Sequence, residues 1–310
     1  MLQIFLDLSI LFFPCVSAKQ KCPFCADCSG FFEKNLVVCK ICRFVFQEHK
    51  MPTIEETIRQ KLSEIEQKYN VKIIYACESG SRAWGFASPD SDYDVRFVYV
   101  RDLRDYLRLD AVRDVIEYEL NDIYDINGWD IKKLLLLLAK SNPVIFEWAD
   151  SPVVYRTTGE WQRVKSVMPE YFSEKRMLYH YISIAKNNLR AYFKEDSVIL
   201  KKYLYVLRPI FACRWILEKK SPPPTLFSKL YADSLPHEIE TDFMRLLEAK
   251  KHNLEKTEGP HIKTLDDFIQ QNIAKIEEIL WTKEENYPSN WESLNKVFLE
   301  NLKTSNIFEG

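Results

Sequence analysis

GSRAWGFASPDSDYDVRFVY, residues 80–99, is the stretch that decides the fold of this chain. A Gly-Ser turn follows the apolar run of residues 71–77, and Asp92 and Asp94 open a second apolar run. Because alternate side chains of a strand share a face, the two carboxylates are expected to point the same way. The stretch therefore predicts two strands, joined through a glycine turn and a short helix, with paired carboxylates where the second strand begins.

The paired carboxylates and the Gly-Ser turn together predict a site for a metal ion and for phosphate groups. Mg²⁺ is usually held by one or two carboxylates, and two such ions can clamp the attacking and leaving oxygens of a displacement. Gly80 lets the backbone approach a phosphate, while the Ser81 hydroxyl and helix amides donate to its oxygens. The alternative is a solvated turn, because residues 88–91 read SPDS and have turn chemistry of their own.

Longer motifs connect this pattern to a known group of proteins. The Gly-Ser turn, a gap of ten residues and the Asp-X-Asp pair resemble the signature of the DNA polymerase β superfamily of nucleotidyltransferases. The stretches ESGSRAWGFASPDSDYDVR (78–96), INGWDIKKLLLLLAKSNPVIFEW (126–148) and KKYLYVLRPIFACRWI (201–216) resemble the predicted nucleotidyltransferases associated with RNA-repair ligases. The resemblance implies an α+β fold, in which a polymerase β-like sheet is flanked by helices and followed by a helical C-terminal domain.

The resemblance also implies a reaction, the transfer of a nucleoside monophosphate from an NTP to an acceptor hydroxyl with release of pyrophosphate. In this chemistry Asp92 and Asp94 bridge two Mg²⁺ ions, and a third carboxylate on a neighbouring strand joins the catalytic ion and helps to deprotonate the acceptor. We favour Asp125, inside the predicted strand of residues 123–127, because Asp130 has a sufficient role as the N-cap of the next helix. The alternatives left open are Asp130, Asp122 and Glu119.

Phosphate binding is assigned to both halves of the chain. Gly80 and Ser81 are expected to seat the terminal phosphates, and Arg82 either adds charge there or forms a surface ion pair. Arg96 lies on the strand face of Asp94 and is placed to orient it.

A second set of candidates lies on a predicted helix in the C-terminal half. Lys201, Tyr205 and Arg208 recur at positions i, i+4 and i+7, which places them on one helical face. Such a basic-aromatic stripe suits contact with a triphosphate. The alternative is a solvated helix face with the tyrosine packed at its edge.

The length of 310 residues allows two domains, which we place at residues 51–151 for the catalytic part and 152–310 for the helical part. A helix is predicted over residues 53–69, and strands over residues 71–77, 93–100 and 123–127, the last ended by Gly128. A helix or loop is expected around residues 103–115. The C-terminal half is expected to hold helices over residues 173–193, 198–218, 238–250 and 265–281, with Pro209 bending the second.

The first fifty residues carry a separate signal. Cys22, Cys25, Cys39 and Cys42 form two Cys-X-X-Cys pairs separated by thirteen residues, which predicts a zinc ribbon in which Zn²⁺ is held by four thiolates. Cys28 is an alternative ligand. The alternative for the whole segment is an extension outside the working protein, with Met51 as the native start.

Composition limits the class of partner. A net charge of -2 excludes a generally polybasic protein, so any nucleic-acid contact must come from a local basic patch. Residues 1–18 lack a basic start and carry Asp7 within their apolar stretch, which argues against a secretory signal. The leucines at 134–138 form a run far shorter than the ~20 residues that span a bilayer. We therefore expect a cytoplasmic protein without membrane contact, and its oligomeric state stays open.

Three functional hypotheses follow. The first is an active nucleotidyltransferase that uses an NTP and acts on an acceptor such as an RNA end. The second is a nucleotidyltransferase that modifies a protein or small molecule, as antitoxins that transfer AMP do. The third is a nucleotide-sensing module without catalysis.

Overall fold

The computed structural model describes residues 52–193, 197–251, 257–284 and 290–304, together with a short antiparallel pair, β1 (Phe32–Glu33) and β2 (Leu36–Val37). Contacts divide the chain into two units, Met1–Pro52 and Thr53–Gly310. The four cysteines predicted to hold zinc, and Cys28, lie outside the described residues, so the zinc ribbon stays a prediction.

A five-stranded mixed sheet forms the centre of the second unit. Its strands lie in the order β5-β6-β4-β3-β7. Only the β4–β6 pairing within this sheet is parallel. The strand bounds are β3 (Val71–Glu78), β4 (Tyr93–Arg101), β5 (Val115–Leu120), β6 (Tyr124–Asp130) and β7 (Val154–Thr157).

Helices flank this sheet and continue beyond it, as the sequence predicts. In the first half they are α1 (Ile54–Tyr69), α2 (Gly80–Trp84), α3 (Leu103–Tyr106), α4 (Ile131–Leu138), α5 (Pro143–Ala149) and α6 (Gly159–Val167), followed by a 3₁₀ turn (Met168–Tyr171). The second half has α7 (Glu174–Tyr192), α8 (Lys201–Lys219), α9 (Phe227–Tyr231), α10 (His237–Lys251), α11 (Lys263–Thr282) and α12 (Trp291–Thr304). A strand pair, β8 (Ser197–Ile199) and β9 (Glu258–Pro260), lies among these helices.

The sheet separates two hydrophobic cores, and the alternation along β4 shows which side chains face each one. Val95, Phe97 and Tyr99 pack in the smaller core, which α1 covers with Ile58, Leu62 and Ile65. Val98 and Val100 pack in the larger core, which includes the long C-terminal helices. Asp92, Asp94 and Arg96 are therefore on the face of the sheet that turns towards those helices.

The start of α1 follows from its sequence. Thr53 and Glu56 form a capping box, in which the threonine hydroxyl accepts from the Glu56 amide and the Glu56 carboxylate accepts from the Thr53 amide. Asn70 ends the helix in the left-handed conformation. The helix predicted over residues 53–69 is thus confirmed.

Several sequence predictions are corrected. Gly128 does not end its strand: β6 continues to Asp130, and Gly128 is required because a β-carbon there would lie 2.3 Å from the ring of Phe97 on the neighbouring strand. The sequence did not predict β5, β7 or α12. Residues 198–199, predicted to begin a helix, instead belong to β8, because they pair with β9 and the helix begins at Lys201.

The predicted division between residues 151 and 152 falls just before a strand of the central sheet. β7 follows that point and pairs with β3. The larger core also joins residues of both halves, and the ring of Tyr75 stacks on Trp161 with 4.1 Å between centroids. Among the described residues, no helix is both long and apolar enough to cross a membrane.

Candidate active site

Two carboxylates meet at the centre of the sheet. Asp94 of β4 and Asp125 of β6 are paired directly in the parallel register, so their side chains lie on the same face. Asp92 precedes β4 by one residue and is exposed. The structure thus brings Asp125 beside Asp94, as the sequence-based preference anticipates.

Arg96 binds both of these acids. Its Nη2 donates to Asp94 Oδ1 at 3.0 Å and to Asp125 Oδ2 at 2.7 Å, and its Nη1 donates to the Asp125 carbonyl at 2.7 Å. The Asn127 amide donates to the remaining Asp125 oxygen, Oδ1, at 3.1 Å. One guanidinium therefore links Asp94 and Asp125 and neutralises part of their combined charge.

Gly80 lies against the carboxylate of Asp94. Its φ is +57°, in the left-handed region that favours glycine. A β-carbon at this position would lie 1.9 Å from Asp94 Oδ2. The Ser79 amide also donates to the Asp94 carbonyl at 2.8 Å. The turn and the carboxylate-bearing strand are thus in direct contact, as the motif predicts.

The buried carboxylate of Glu78 positions Asp94. It accepts from the Asp94 amide at 2.8 Å and from the Tyr155 hydroxyl of β7. Glu78 is 1% exposed, and burial raises the pKa of its carboxyl. The sequence analysis assigned no role to Glu78 or Tyr155, since neither belongs to the Gly-Ser or Asp-X-Asp motif.

The electrostatics of the acid cluster favour a cation. Burial raises the pKa of Asp94 to about 6, Arg96 lowers it, and the charges of Asp92 and Asp125 add to the increase. Burial also raises the pKa of Tyr205, with the charges of Asp92 and Asp94 as further causes.

Arg82 is held by the loop that leads into β4. Its Nε donates to the Asp92 carbonyl at 2.9 Å, and its Nη2 donates to the Ser91 carbonyl at 2.5 Å. The guanidinium stacks on the ring of Tyr93 at 3.8 Å from the centroid. These contacts fix the loop beside the acids and differ from the alternative expectation of a surface ion pair, while a phosphate contact by Arg82 stays a prediction.

The three candidates on α8 occupy different environments. Tyr205 meets the Trp84 ring edge-on at 6.1 Å. Arg208 is 5% exposed, stacks on the same Trp84 ring at 4.3 Å and pairs with Glu147, whose Oε1 lies 3.1 Å from its Nη1. The Nε of Arg208 is buried without a hydrogen-bond partner among the described residues. Arg208 is thus engaged in the interior, and the stripe is not a solvated face.

A basic group that the sequence did not indicate lies near the loop. Lys250 of α10 is 2% exposed and donates to Ser88 Oγ at 3.0 Å. Burial lowers the pKa of Lys250, and the charge of Lys201 lowers it further, while Asp90 and Asp92 raise it. Lys250 thus contacts the loop through Ser88, and the charge of Lys201, the first residue of α8, acts on it.

The alternative third acids lie elsewhere. Asp130 is an odd number of residues from Asp125 and so lies on the other strand face, where it caps α4 through the Lys132 amide at 2.8 Å and accepts from the Tyr106 hydroxyl at 3.0 Å. Glu119 pairs with Lys61 at 2.6 Å. Asp122 is exposed in the turn between β5 and β6.

The donor set suits a divalent cation through two of the acids. The Oδ2 atom of Asp94 and the carboxylate of Asp92 have no hydrogen bond to other described residues, and carboxylate oxygens are what Mg²⁺ prefers. Both Asp125 oxygens are engaged by Arg96 and Asn127. Within the described ranges, no group of three or more His, Cys, Asp and Glu side chains is arranged to hold a metal ion.

The match that decides the family covers most of the second unit. Residues 54–300 match the model of the RNA repair pathway DNA polymerase beta family, RlaP. The chain belongs to this family. The match includes the Gly-Ser turn, all three acids and the C-terminal helices, so the resemblance drawn from the sequence is confirmed.

Two further proteins are similar to this member of the family. The uncharacterized protein YcgL of Bacillus subtilis strain 168 is 42% identical over 229 residues, which are 73% of this chain and 87% of YcgL. A solved nucleotidyltransferase-like protein from Exiguobacterium sibiricum 255-15 is 12% identical, with 79% of this chain and 89% of that chain covered and a TM-score of 0.28.

Proposed function

We propose that this chain is a metal-dependent nucleotidyltransferase that moves a nucleoside monophosphate from an NTP to the hydroxyl of an RNA end. The observation that carries the proposal is the pairing of Asp94 with Asp125 on parallel strands, in contact with the glycine turn at Gly80. The choice of RNA as acceptor is supported by the description of the family to which the chain belongs.

In this proposal Asp92 and Asp94 hold Mg²⁺ through their unengaged oxygens. The ion supplies charge neutralisation for the phosphates and lowers the pKa of a bound hydroxyl. Phosphoryl transfer depends on positioning and charge stabilisation more than on covalent chemistry. We therefore expect replacement of Asp92 or Asp94 to remove most of the transfer activity. Each Asp125 oxygen accepts one hydrogen bond and keeps a second lone pair, through which Asp125 would help to hold a second ion when substrate is bound.

The remaining groups position the reactants. Arg96 keeps Asp94 and Asp125 in one orientation, and Gly80 and Ser81 receive the terminal phosphates through the backbone and the serine hydroxyl. Lys201 and Lys250 supply positive charge for the leaving pyrophosphate. The new bond joins the acceptor oxygen to the α-phosphorus, the bond from that phosphorus to the bridging oxygen breaks, and the acceptor proton passes to Asp125.

The test is transfer of label from each of four α-³²P-labelled NTPs to single-stranded RNA by the full chain with Mg²⁺. We expect labelled RNA with release of pyrophosphate, and loss of both in Asp92→Ala and Asp94→Ala. Asp110→Ala is the matched control, because that aspartate is exposed and pairs only with Arg108 among the described residues. Label on protein or on a small acceptor supports the modifying enzyme instead, and NTP binding without transfer to any acceptor supports the sensor.

A further inference from the structure

An open groove of about 630 Å³ lies between α7 and α11. None of its lining residues is among those assigned above to metal or nucleotide. Ile182 and Leu280, which are 3% and 6% exposed, form its apolar floor. Tyr179 and Trp281 line it with 57% and 89% of their surface exposed. Because the two exposed aromatic side chains line one groove together with this apolar floor, they form an apolar patch of the kind that marks a binding surface.

Basic residues follow the same helix face. Lys175, Tyr179, Lys186 and Arg190 line the groove at intervals of four, seven and four residues along α7, so they share one face. Lys186 pairs with Glu277 across the groove. Arg190 is exposed and forms no ion pair with any described residue. One cation therefore remains available at this end of the groove.

The opposite end is also positively charged. Lys175 donates to the Lys283 carbonyl at 2.6 Å, which satisfies one ammonium proton and leaves its charge uncompensated. Lys220 and Lys283 share the single carboxylate of Glu174, at 3.1 and 2.7 Å. Two lysines thus share one glutamate, and Lys175 beside them has no ion-pair partner among the described residues. A chain with a net charge of -2 needs such a local patch to bind a polyanion.

The Arg190 end of the groove lies at the C-terminal end of α7, where the opposite face of this helix contacts α8 through Asn188, about 200° around the helix from Arg190. Asn188 donates to the Tyr205 carbonyl at 2.9 Å, and the Lys202 ammonium lies 3.8 Å from the centroid of the Tyr192 ring. Tyr205 in turn packs edge-on against Trp84, the last residue of the short helix α2 that begins at Gly80. The sixteen residues from Lys175 to Arg190 are joined by fifteen helical steps and extend about 22 Å along the helix, a length of several nucleotides.

We propose that this groove binds single-stranded RNA, whose acceptor end passes around the C-terminal end of α7 to reach the acid pair on the other side of the helix. Bases stack on Trp281 and Tyr179, while the cations at the two ends of the groove bind phosphates, which is how nonspecific single-strand sites are built. The choice of RNA rests on the proposed function. Because every base has a stacking face, binding is expected to depend weakly on sequence and strongly on salt.

The test is fluorescence anisotropy of the full chain with labelled twelve-nucleotide RNA, single-stranded and duplex, and with the matching single-stranded DNA. We expect single-stranded RNA to bind more tightly than the duplex, about 10-fold weaker binding for Trp281→Ala, and a smaller salt dependence for Lys175→Glu and Arg190→Glu. Trp291→Ala and Lys229→Glu are the controls, since both residues are exposed and neither lines the groove. Thermal melting confirms that each variant is folded.

Several results would overturn the groove as an RNA site. The first is wild-type affinity for RNA in both Trp281→Ala and Arg190→Glu, and the second is a preference for the duplex or for DNA. The third is a dimer in solution that Trp281→Ala dissociates, which would assign the groove to a second copy of the chain. Transfer of label to RNA with unchanged KM in the groove variants would refute the groove and leave the proposed function standing. If the wild type binds RNA and Trp281→Ala does not, but the wild type never transfers label to RNA, the groove is supported and the proposed function is refuted.

Discussion

The carboxylate of Asp94 occupies the space that a side chain on Gly80 would need, since a β-carbon there would lie 1.9 Å from Asp94 Oδ2. The φ of +57° at Gly80 independently favours glycine. This position is therefore restricted twice, once by its own backbone and once by the acid beside it.

Gly80→Ala is expected to displace Asp94 and reduce nucleotidyl transfer by about 100-fold, because a misplacement of about 1 Å can cost that much. Steady-state rates with saturating NTP measure the effect. Gly159→Ala is the matched control, since its β-carbon would meet no heavy atom within 4 Å. Wild-type turnover in Gly80→Ala would show that the contact is not needed.

Arg96→Gln is expected to lower the melting temperature without metal and to tighten Mg²⁺ binding by at least ~5-fold. Arg96 neutralises Asp94 and Asp125, so removing it leaves repulsion that a divalent cation relieves. Thermal melting across a Mg²⁺ titration measures both effects. Arg113→Gln, which removes an ion pair whose side chains are 67% and 66% exposed, should change neither. Weaker Mg²⁺ binding in Arg96→Gln would contradict competition between the arginine and the metal.

The pH dependence of stability should contain a contribution from Asp130. Burial raises its pKa from 3.8 to about 6, so the folded protein binds more protons than the unfolded chain between these values, and stability from this group is lost as pH rises through them. Asp130→Asn should remove that loss. Relative to the wild type, the variant should gain on the order of 2 kcal/mol between pH 4 and pH 7.5.

Urea unfolding at the two pH values measures this difference. Asparagine is a suitable replacement, because it also serves as an N-cap for α4. A free-energy difference between variant and wild type that does not change with pH would show that Asp130 titrates normally in the folded protein.

Glu147→Gln is expected to destabilise the protein by about 3 kcal/mol, because it leaves the Arg208 guanidinium buried without its charged partner. Urea unfolding measures the loss. Glu218→Gln breaks an ion pair whose glutamate side chain is 56% exposed and should cost less than about 1 kcal/mol.

A paired replacement then separates structure from binding at this position. Arg208→Met with Glu147→Leu should recover most of the lost stability, since no buried charge is left without a partner. NTP affinity is expected to stay near the wild-type value in this pair. Strongly reduced affinity in a stable double variant would instead place Arg208 at the triphosphate, as its position on α8 first suggests.

Sequence patterns predict the parts of the site that lie close together along the chain. Alternation places Asp92, Asp94 and Arg96 on one strand face, and the paired register then adds Asp125. The N-cap role of Asp130 also follows from its position before an apolar helix. These features depend on local geometry, which a single stretch of sequence contains.

Contacts between distant segments could not be predicted in this way. Glu78 reaches Tyr155, Ser88 reaches Lys250 and Glu147 reaches Arg208, and nothing in the spacing of these residues indicates a partner. The strand β5 was also not predicted, because it is an edge strand whose alternate positions hold glutamates, so its sequence lacks the apolar run expected of a strand. Gly128 was misread as a strand breaker because the ring that requires it, Phe97, belongs to another strand.

The hydrogen bond between Tyr155 and Glu78 has a consequence for engineering this protein. The amide of Asp94 is fixed by a carboxylate that is itself held by β7, a strand encoded after residue 151. A polypeptide that stops at that residue would retain the three acids and the glycine turn but lose the anchor behind them. Grafting the motif onto another scaffold therefore requires the tyrosine as well as the aspartates.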